Sequence, residues 1–107
     1  MNEKCFSATD IFLGAFKGWP NVTLVGQPSG GGSARSEEFQ LPISEIEISC
    51  ASMASFQPNG KLYDTNGIEP DVLVEPTPDY FIRGGSDPFL EKAMELLANE
   101  TVGDHTL

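Results

Sequence analysis

The 107 residues leave room for one small domain, and an ordinary apolar content excludes disorder along the whole length. Sixteen acidic residues against six basic ones give a formal net charge of −10. That balance offers no basic stripe and excludes nucleic acid as a partner. One histidine and two cysteines are too few for the usual four-ligand zinc site, and the acids lack the alternating pattern of a calcium loop.

The acidic residues are dispersed, from Glu37, Glu38, Glu45 and Glu47 to Glu91, Glu95 and Glu100, and read as a solvated surface. Cys5 and Cys50 read as buried free thiols, with a disulfide as the alternative in an oxidising compartment. No run is apolar and long enough to cross a membrane, and Met1-Asn2-Glu3-Lys4 is too polar and short for a signal peptide.

Residues 1–6 read as the end of an extended segment. From Ser7 the spacing turns helical, with Ala8, Ile11, Phe12, Ala15 and Phe16 on or near one apolar face. Ser7 fits the N-cap, Asp10 the third helical position, and Gly18 with Pro20 the stop. Val22 to Val25 is a short buried-type strand ending at Gly26. Gln27 to Ser36 is a loop rich in glycine and serine. Phe39-Gln40-Leu41 and Ile46 to Cys50 alternate like half-buried strands, and a further extended piece covers Ser52 to Phe56. Turns follow at Gln57-Pro58-Asn59-Gly60 and Gly67–Pro70, and Val72-Leu73-Val74 is a second apolar strand. Pro76 and Pro78 begin a linker. Asp87-Pro88 starts a helix through about Ala98, with Phe89, Leu90, Ala93, Met94, Leu96 and Leu97 as its apolar face. Residues 99–107 read as a flexible tail.

This order gives an α/β layout with a sheet short of strands, which points to a piece of a larger domain. It also places a serine where an extended segment meets a helix. Free backbone N–H groups and the helix dipole at such a terminus favour a developing oxyanion. The glycine loop Gly30-Gly31-Gly32 lacks the Lys-Ser/Thr that closes a phosphate-binding loop, so it reads as a flexible, substrate-lining loop.

Ser7-Ala8-Thr9-Asp10-Ile11 resembles the nucleophile segment Ser-Ala-Ser/Ala-Glu-Ile of the C-terminal-processing (tail-specific) serine peptidases and their tricorn-core relatives. Leu24-Val25-Gly26-Gln27-Pro28-Ser29 resembles their strand exit Leu-Val-Gly-Glu-Pro-Thr. Phe39 to Pro42 and Ile46 to Ala51 resemble the next strand pair. Pro58-Asn59-Gly60 and Gly67-Ile68-Glu69-Pro70-Asp71-Val72 resemble the Pro-x-Gly turn and the Gly-Ile/Val-x-Pro-Asp-Val signature. Asp87 through Leu97 resembles the terminal helix. The pieces are collinear over about residues 3–98.

The resemblance implies a ClpP/crotonase-like α/β core, with residues 1–98 as the C-terminal half of a serine peptidase catalytic domain that needs no cofactor or metal. It implies peptide-bond hydrolysis with Ser7 as nucleophile, the Ala8 N–H as one oxyanion donor, and Gly30, Gly31 and Gly32 lining the substrate. In the tail-specific branch a lysine in the glycine loop is the general base, and here its slot holds Gly32. Lys17 and Arg35 are the nearest cations, and arginine stays protonated. The sequence therefore resembles the tricorn-like branch, which takes a histidine from the other half of the core and a downstream acid. Asp64 fits the acid slot approximately, where the family has glutamate, and a turn-forming aspartate is the other reading. His105 lies past the resemblance and is not assigned a role. The expected partner is a peptide or protein substrate, with homo-oligomerisation through exposed edges also expected. An exported or periplasmic bacterial setting follows from the resemblance alone. The competing readings are a degenerate domain of the same fold that binds peptides or hydrophobic ligands, and an interaction domain in which Ser7 only caps a helix.

Overall fold

The computed structural model of the chain describes residues 1–103. The order is helix α1 (Ala8–Phe16), strands β1 (Val25–Gly26), β2 (Ser36–Gln40), β3 (Glu47–Ala51) and β4 (Val72–Leu73), a 3-10 turn (Pro78–Phe81), and helix α2 (Pro88–Gly103). The mixed α/β expectation holds. Helix α1 begins and ends close to where capping residues place it, and Gly18 takes a positive φ of 86° just beyond it.

Strands β1 and β4 pair in parallel, Val25 opposite Val72 and Gly26 opposite Leu73. The carbonyl of Leu24 accepts from the N–H groups of Asp71 and Val72, which extends the pairing toward the N-terminal side. On the opposite edge of β1, Met1 donates to the Val25 carbonyl (2.7 Å) and accepts from the Gln27 N–H (2.9 Å). The strand is therefore bracketed on both sides although only two residues long. Leu13, Leu24, Tyr63 and Ile68 form the buried apolar core, with Met1, Cys5 and Val22 packed against it.

Helix α1 turns a different face inward than its apolar spacing suggests. Its buried residues are Asp10, Leu13 and Gly14, one turn apart on a single side. Ile11, Phe12 and Phe16 point outward with Trp19, Phe12 being 61% exposed. Their rings stack on one another instead, at 4.9 Å for Phe12–Phe16 and 6.0 Å for Phe16–Trp19. Gly14 permits this packing. The Tyr63 ring lies against its Cα, where any side chain would collide.

Strands β2 and β3 form an antiparallel hairpin from Ser36↔Ala51 to Gln40↔Glu47. They were expected to be half-buried, yet every residue in them is exposed. Glu37, Phe39, Ile48 and Cys50 share one face, while Ser36, Glu38, Gln40, Glu47, Ser49 and Ala51 share the other, as alternation requires. Among the described residues nothing buries the apolar face, since the hairpin projects from the core. Ile43 at its loop is 96% exposed. The cysteines are correspondingly free thiols, but neither is buried: Cys5 is half-buried and Cys50 exposed.

The segment Ser52–Phe56 is extended only in part, with Phe56 bridging Leu62. The stretch expected as a linker after Pro76 folds into the 3-10 turn, whose Tyr80 packs edge-on against Phe89 of α2 at 5.1 Å. Asp87 caps α2 by accepting from the Phe89 and Leu90 N–H groups, and the helix runs to Gly103, past the Ala98 expected. Phe89, Ala93 and Leu96 are half-buried, while Leu90, Met94 and Leu97 stay exposed.

The result is thin and long, 71 × 36 × 15 Å, with a radius of gyration of 18.8 Å. A compact domain of this length has about 13 Å. With so small a core, loss of one member should be costly. Ile68, 1% exposed, should lose roughly 2–5 kcal/mol on Ile68→Ala by the transfer and cavity terms. Ile43→Ala should stay within about 0.5 kcal/mol of wild type. Urea denaturation of the two variants checks both.

Candidate active site

The site forms where the first turn of α1 meets the glycine loop. Ser7 has φ 60° and ψ −117°. With the Thr9 N–H donating to the Phe6 carbonyl at 3.2 Å, residues 6–9 make a turn of type II′ geometry, in which glycine normally occupies Ser7's position. A side chain there is strained. The Ser7 side chain makes no cap hydrogen bond, contrary to the N-cap reading, and the residue is exposed. Ala8 is the first helical residue, so its N–H has no acceptor within the helix.

The polar side-chain contacts at this end of α1 belong to Asp10, and they run to the glycine loop. It is 0% exposed. Its Oδ1 accepts from the Ser29 hydroxyl (2.5 Å) and the Gly31 N–H (3.0 Å), and its Oδ2 accepts from the Gly32 N–H (3.0 Å). Burial alone pushes its carboxyl pKa up. The Gly32 N–H, the Ser29 hydroxyl and the Gly31 and Ser7 N–H groups outweigh that and hold it below the usual carboxylate value. The sequence placed Asp10 correctly at the third helical position. Its reach across 21 residues to the loop had no local signal.

The three loop glycines are pinned. Gly30 donates to the Cys5 carbonyl at 2.8 Å, and Gly31 accepts from the Thr65 N–H at 2.9 Å. All three N–H groups are thus taken by protein acceptors, which leaves the loop its carbonyls and Cα faces for other contacts. Gly31 has φ 70° and sits against the Tyr63 carbonyl and the Gly67 N–H. A side chain at Gly32 would instead strike the ring of Phe6. That ring fills the volume into which a residue at position 32 would project.

Ser29 joins this cluster to the Gly67–Val72 segment. Its hydroxyl accepts from the Ile68 N–H (2.7 Å), and its N–H donates to the Ile68 carbonyl (3.0 Å). Asp64 meets the far side of the loop, its Oδ1 accepting from Ser33 (2.8 Å) and Ala34 (3.2 Å). The structure therefore fastens one end of the loop to the first turn of α1 through Asp10, next in line to Ser7 and Ala8, and the other end to Asp64. Lys17 is engaged elsewhere. It donates to Asp71 Oδ1 (2.6 Å) and to the Glu69 carbonyl (2.8 Å), while Asp71 Oδ2 accepts from Leu24 (2.8 Å). The Lys17 ammonium and the Leu24 N–H hold the Asp71 pKa below its ordinary value. His105 lies outside the described residues.

The sequence signature of peptidase family S41 matches residues 1–74. The chain belongs to peptidase family S41. A search of curated proteins finds no match. Among solved structures, mature CPAF in complex with lactacystin superposes with a TM-score of 0.82 at 22% identity, over 96% of this chain and 20% of that one. A candidate peptidase from Parabacteroides merdae ATCC 43184 gives 0.77 at 30% identity, over 89% of this chain and 29% of that one. The tricorn protease gives 0.72 at 28%, over 92% of this chain and 10% of that one. This S41 chain thus shares the fold of much longer peptidases and spans at most 29% of the length of these three.

Two outcomes follow from the geometry. Asp10 in the unfolded chain titrates near ~3.9. Its folded value is lower, so its stabilising contribution is complete above that pH and lost as pH falls through the folded value. The stability gap between wild type and Asp10→Asn should be constant above roughly pH 5 and narrow below roughly pH 4, as urea titrations at a series of pH values would show. Gly31→Ala meets fixed backbone at positive φ and should cost about 1–3 kcal/mol. Gly32→Ala meets only the movable end of the Phe6 ring and should stay within about 1 kcal/mol of wild type, a contrast thermal denaturation would reveal.

Proposed function

We propose that this chain is the C-terminal half of a serine peptidase catalytic domain, hydrolysing peptide bonds through Ser7 once the remainder of the domain is present. The observation that carries this reading is the strained, exposed Ser7 at the mouth of α1. A hydroxyl-bearing residue occupies a corner that glycine would fill without strain, and its side chain does no capping. Strain retained at a corner where an extended segment becomes a helix is a recurrent way to present a nucleophile. Membership of S41 and the peptidase neighbours support the same reading.

In this scheme Ser7 Oγ attacks the scissile carbonyl. The Ala8 N–H faces the developing oxyanion, with the dipole of α1 behind it. The Gly30–Gly32 loop lines the substrate path through its carbonyls and Cα faces. The general base is a histidine from the other part of the domain, as in the tricorn-like branch, with Asp64 as its orienting acid. Gly32 and the Phe6 ring support that branch over one with a loop lysine, because a lysine at position 32 would have to displace the ring. The exposed apolar residues on α1 and the hairpin, Phe12, Phe39 and Ile48 among them, support the view that further chain covers them.

A fluorophosphonate probe on the complete parent protein tests the reading. Wild type should label at one site. Ser7→Ala should abolish labelling and lower peptidase turnover by several orders of magnitude, while shifting stability by less than ~0.5 kcal/mol because no cap bond is lost. Ser7→Gly should be equally inert and about 1 kcal/mol more stable, as strain is relieved. A parent that folds, binds peptide and never labels at Ser7 is the degenerate binding domain instead.

A further inference from the structure

Asp10 does more in this structure than complete a helix cap. Its carboxylate is fully buried and collects three donors from the loop that faces α1: the Ser29 hydroxyl and the Gly31 and Gly32 N–H groups. Through Ser29 the chain of bonds continues to the Ile68 N–H. No other side chain among the described residues joins the first turn of α1 to the glycine loop and, through Ser29, to the Gly67–Val72 segment. Asp71, the other carboxylate with several donors, ties α1 and β4 together on the far side and touches neither Ser7 nor the loop.

We infer that Asp10 is a positioning residue for the nucleophile: it locks the glycine loop at a fixed place relative to the Ser7 corner, so that hydroxyl and substrate path keep one geometry. This rests on reading Ser7 as the nucleophile. The physical case is that an ionised carboxylate in a dry site binds N–H and O–H donors more strongly than a neutral acceptor does, and that leaving such donors unmet is costly. Asparagine at this position keeps one acceptor oxygen but turns an amide N–H₂ toward a donor. The second oxygen's contact, to Gly32 or to Gly31 and Ser29, then becomes a donor facing a donor. The loop is released while α1, which has its own backbone bonds, persists.

The test has two parts. Amide hydrogen exchange on the 107-residue chain reads the lock without needing activity. In Asp10→Asn the protection of the Gly31 and Gly32 N–H groups should fall at least about tenfold, the equivalent of one lost charge-assisted bond, with Val72 and Val74 unchanged. In Asp71→Asn the pattern should reverse, with Gly31 and Gly32 retained. In the complete parent, Asp10→Asn should lower kcat and the labelling rate about 100-fold, the scale of a 1 Å misplacement, with KM little changed. Asp10→Glu, which restores the charge, should recover most of that loss. Ser29→Ala removes one donor and leaves the carboxylate. It serves where Asp10→Asn fails to fold, and should give a smaller loss at the same amides. Unchanged Gly31 and Gly32 protection in a folded Asp10→Asn or Ser29→Ala chain overturns the inference. So does an equal, uniform loss in Asp71→Asn, which would mean that global stability explains the effect. A parent that still labels in Ser7→Ala would remove the nucleophile reading and leave the exchange result to judge the lock by itself.

Discussion

A single buried carboxylate organises this chain. Asp10 sits on the inward side of α1, at the depth of Leu13 and Gly14, and is surrounded by N–H and O–H donors rather than by cations. A charge in that position is tolerable only because each oxygen is met by donors. The requirement works in both directions. The loop must come to the helix to satisfy the carboxylate, and the helix must turn its Asp10 face inward to receive the loop. The second requirement outranks the apolar stripe of α1, so Ile11, Phe12 and Phe16 face outward.

Glycine makes the approach close enough. Gly14 admits the Tyr63 ring to the helix surface, and Gly31 and Gly67 lie backbone to backbone at positive φ. A side chain at Gly67 would strike the Ser29 carbonyl, and so would part the pair of hydrogen bonds between Ser29 and Ile68. Helix, loop and the Gly67–Val72 segment are therefore one unit. Its stability and the geometry around Ser7 are properties of the same few contacts. Asp64 fastens the loop's other end through Ser33 and Ala34, which makes it a structural acceptor whatever its role in proton transfer.

Outside that unit the chain is poorly covered. The hairpin keeps its register through backbone bonds, yet its apolar face stays exposed among the described residues. A two-stranded hairpin is marginal by itself in water. Helix α2 buries one apolar stripe and leaves a second in solvent. These exposed faces go with the thin outline and the small core, and the exposed apolar residues outnumber the buried ones among the described residues.

Local chemistry made much of this legible in the sequence. Helix α1, the turn at Gln57–Gly60, the start of α2 at Asp87 and the strand character of β2 and β3 follow from spacing, caps and turn residues within a few positions of one another, while the pairing of β2 with β3 came with the family resemblance. The sequence offered Ser7, the glycines and Asp64 as candidates through their order along the chain, and it offered Asp10 only as a helical position. What could not be read were outcomes set by distant groups. The outward turn of α1 depends on Gly31, Gly32 and Ser29, some twenty residues away. The exposure of β2 and β3 depends on what lies across from them. The shortness of β1 and β4 depends on Met1 and Asp71 sharing the ladder. The positive φ of Ser7, which leaves its side chain without a cap bond, belongs to the tight turn from Phe6 to Thr9 and was not signalled by a residue type that usually caps helices. Periodicity and capping rules act through neighbours in sequence, so they determined the elements and their order. Burial of a charge acts through neighbours in space, so only the tertiary structure decided which face turned inward and where the serine pointed.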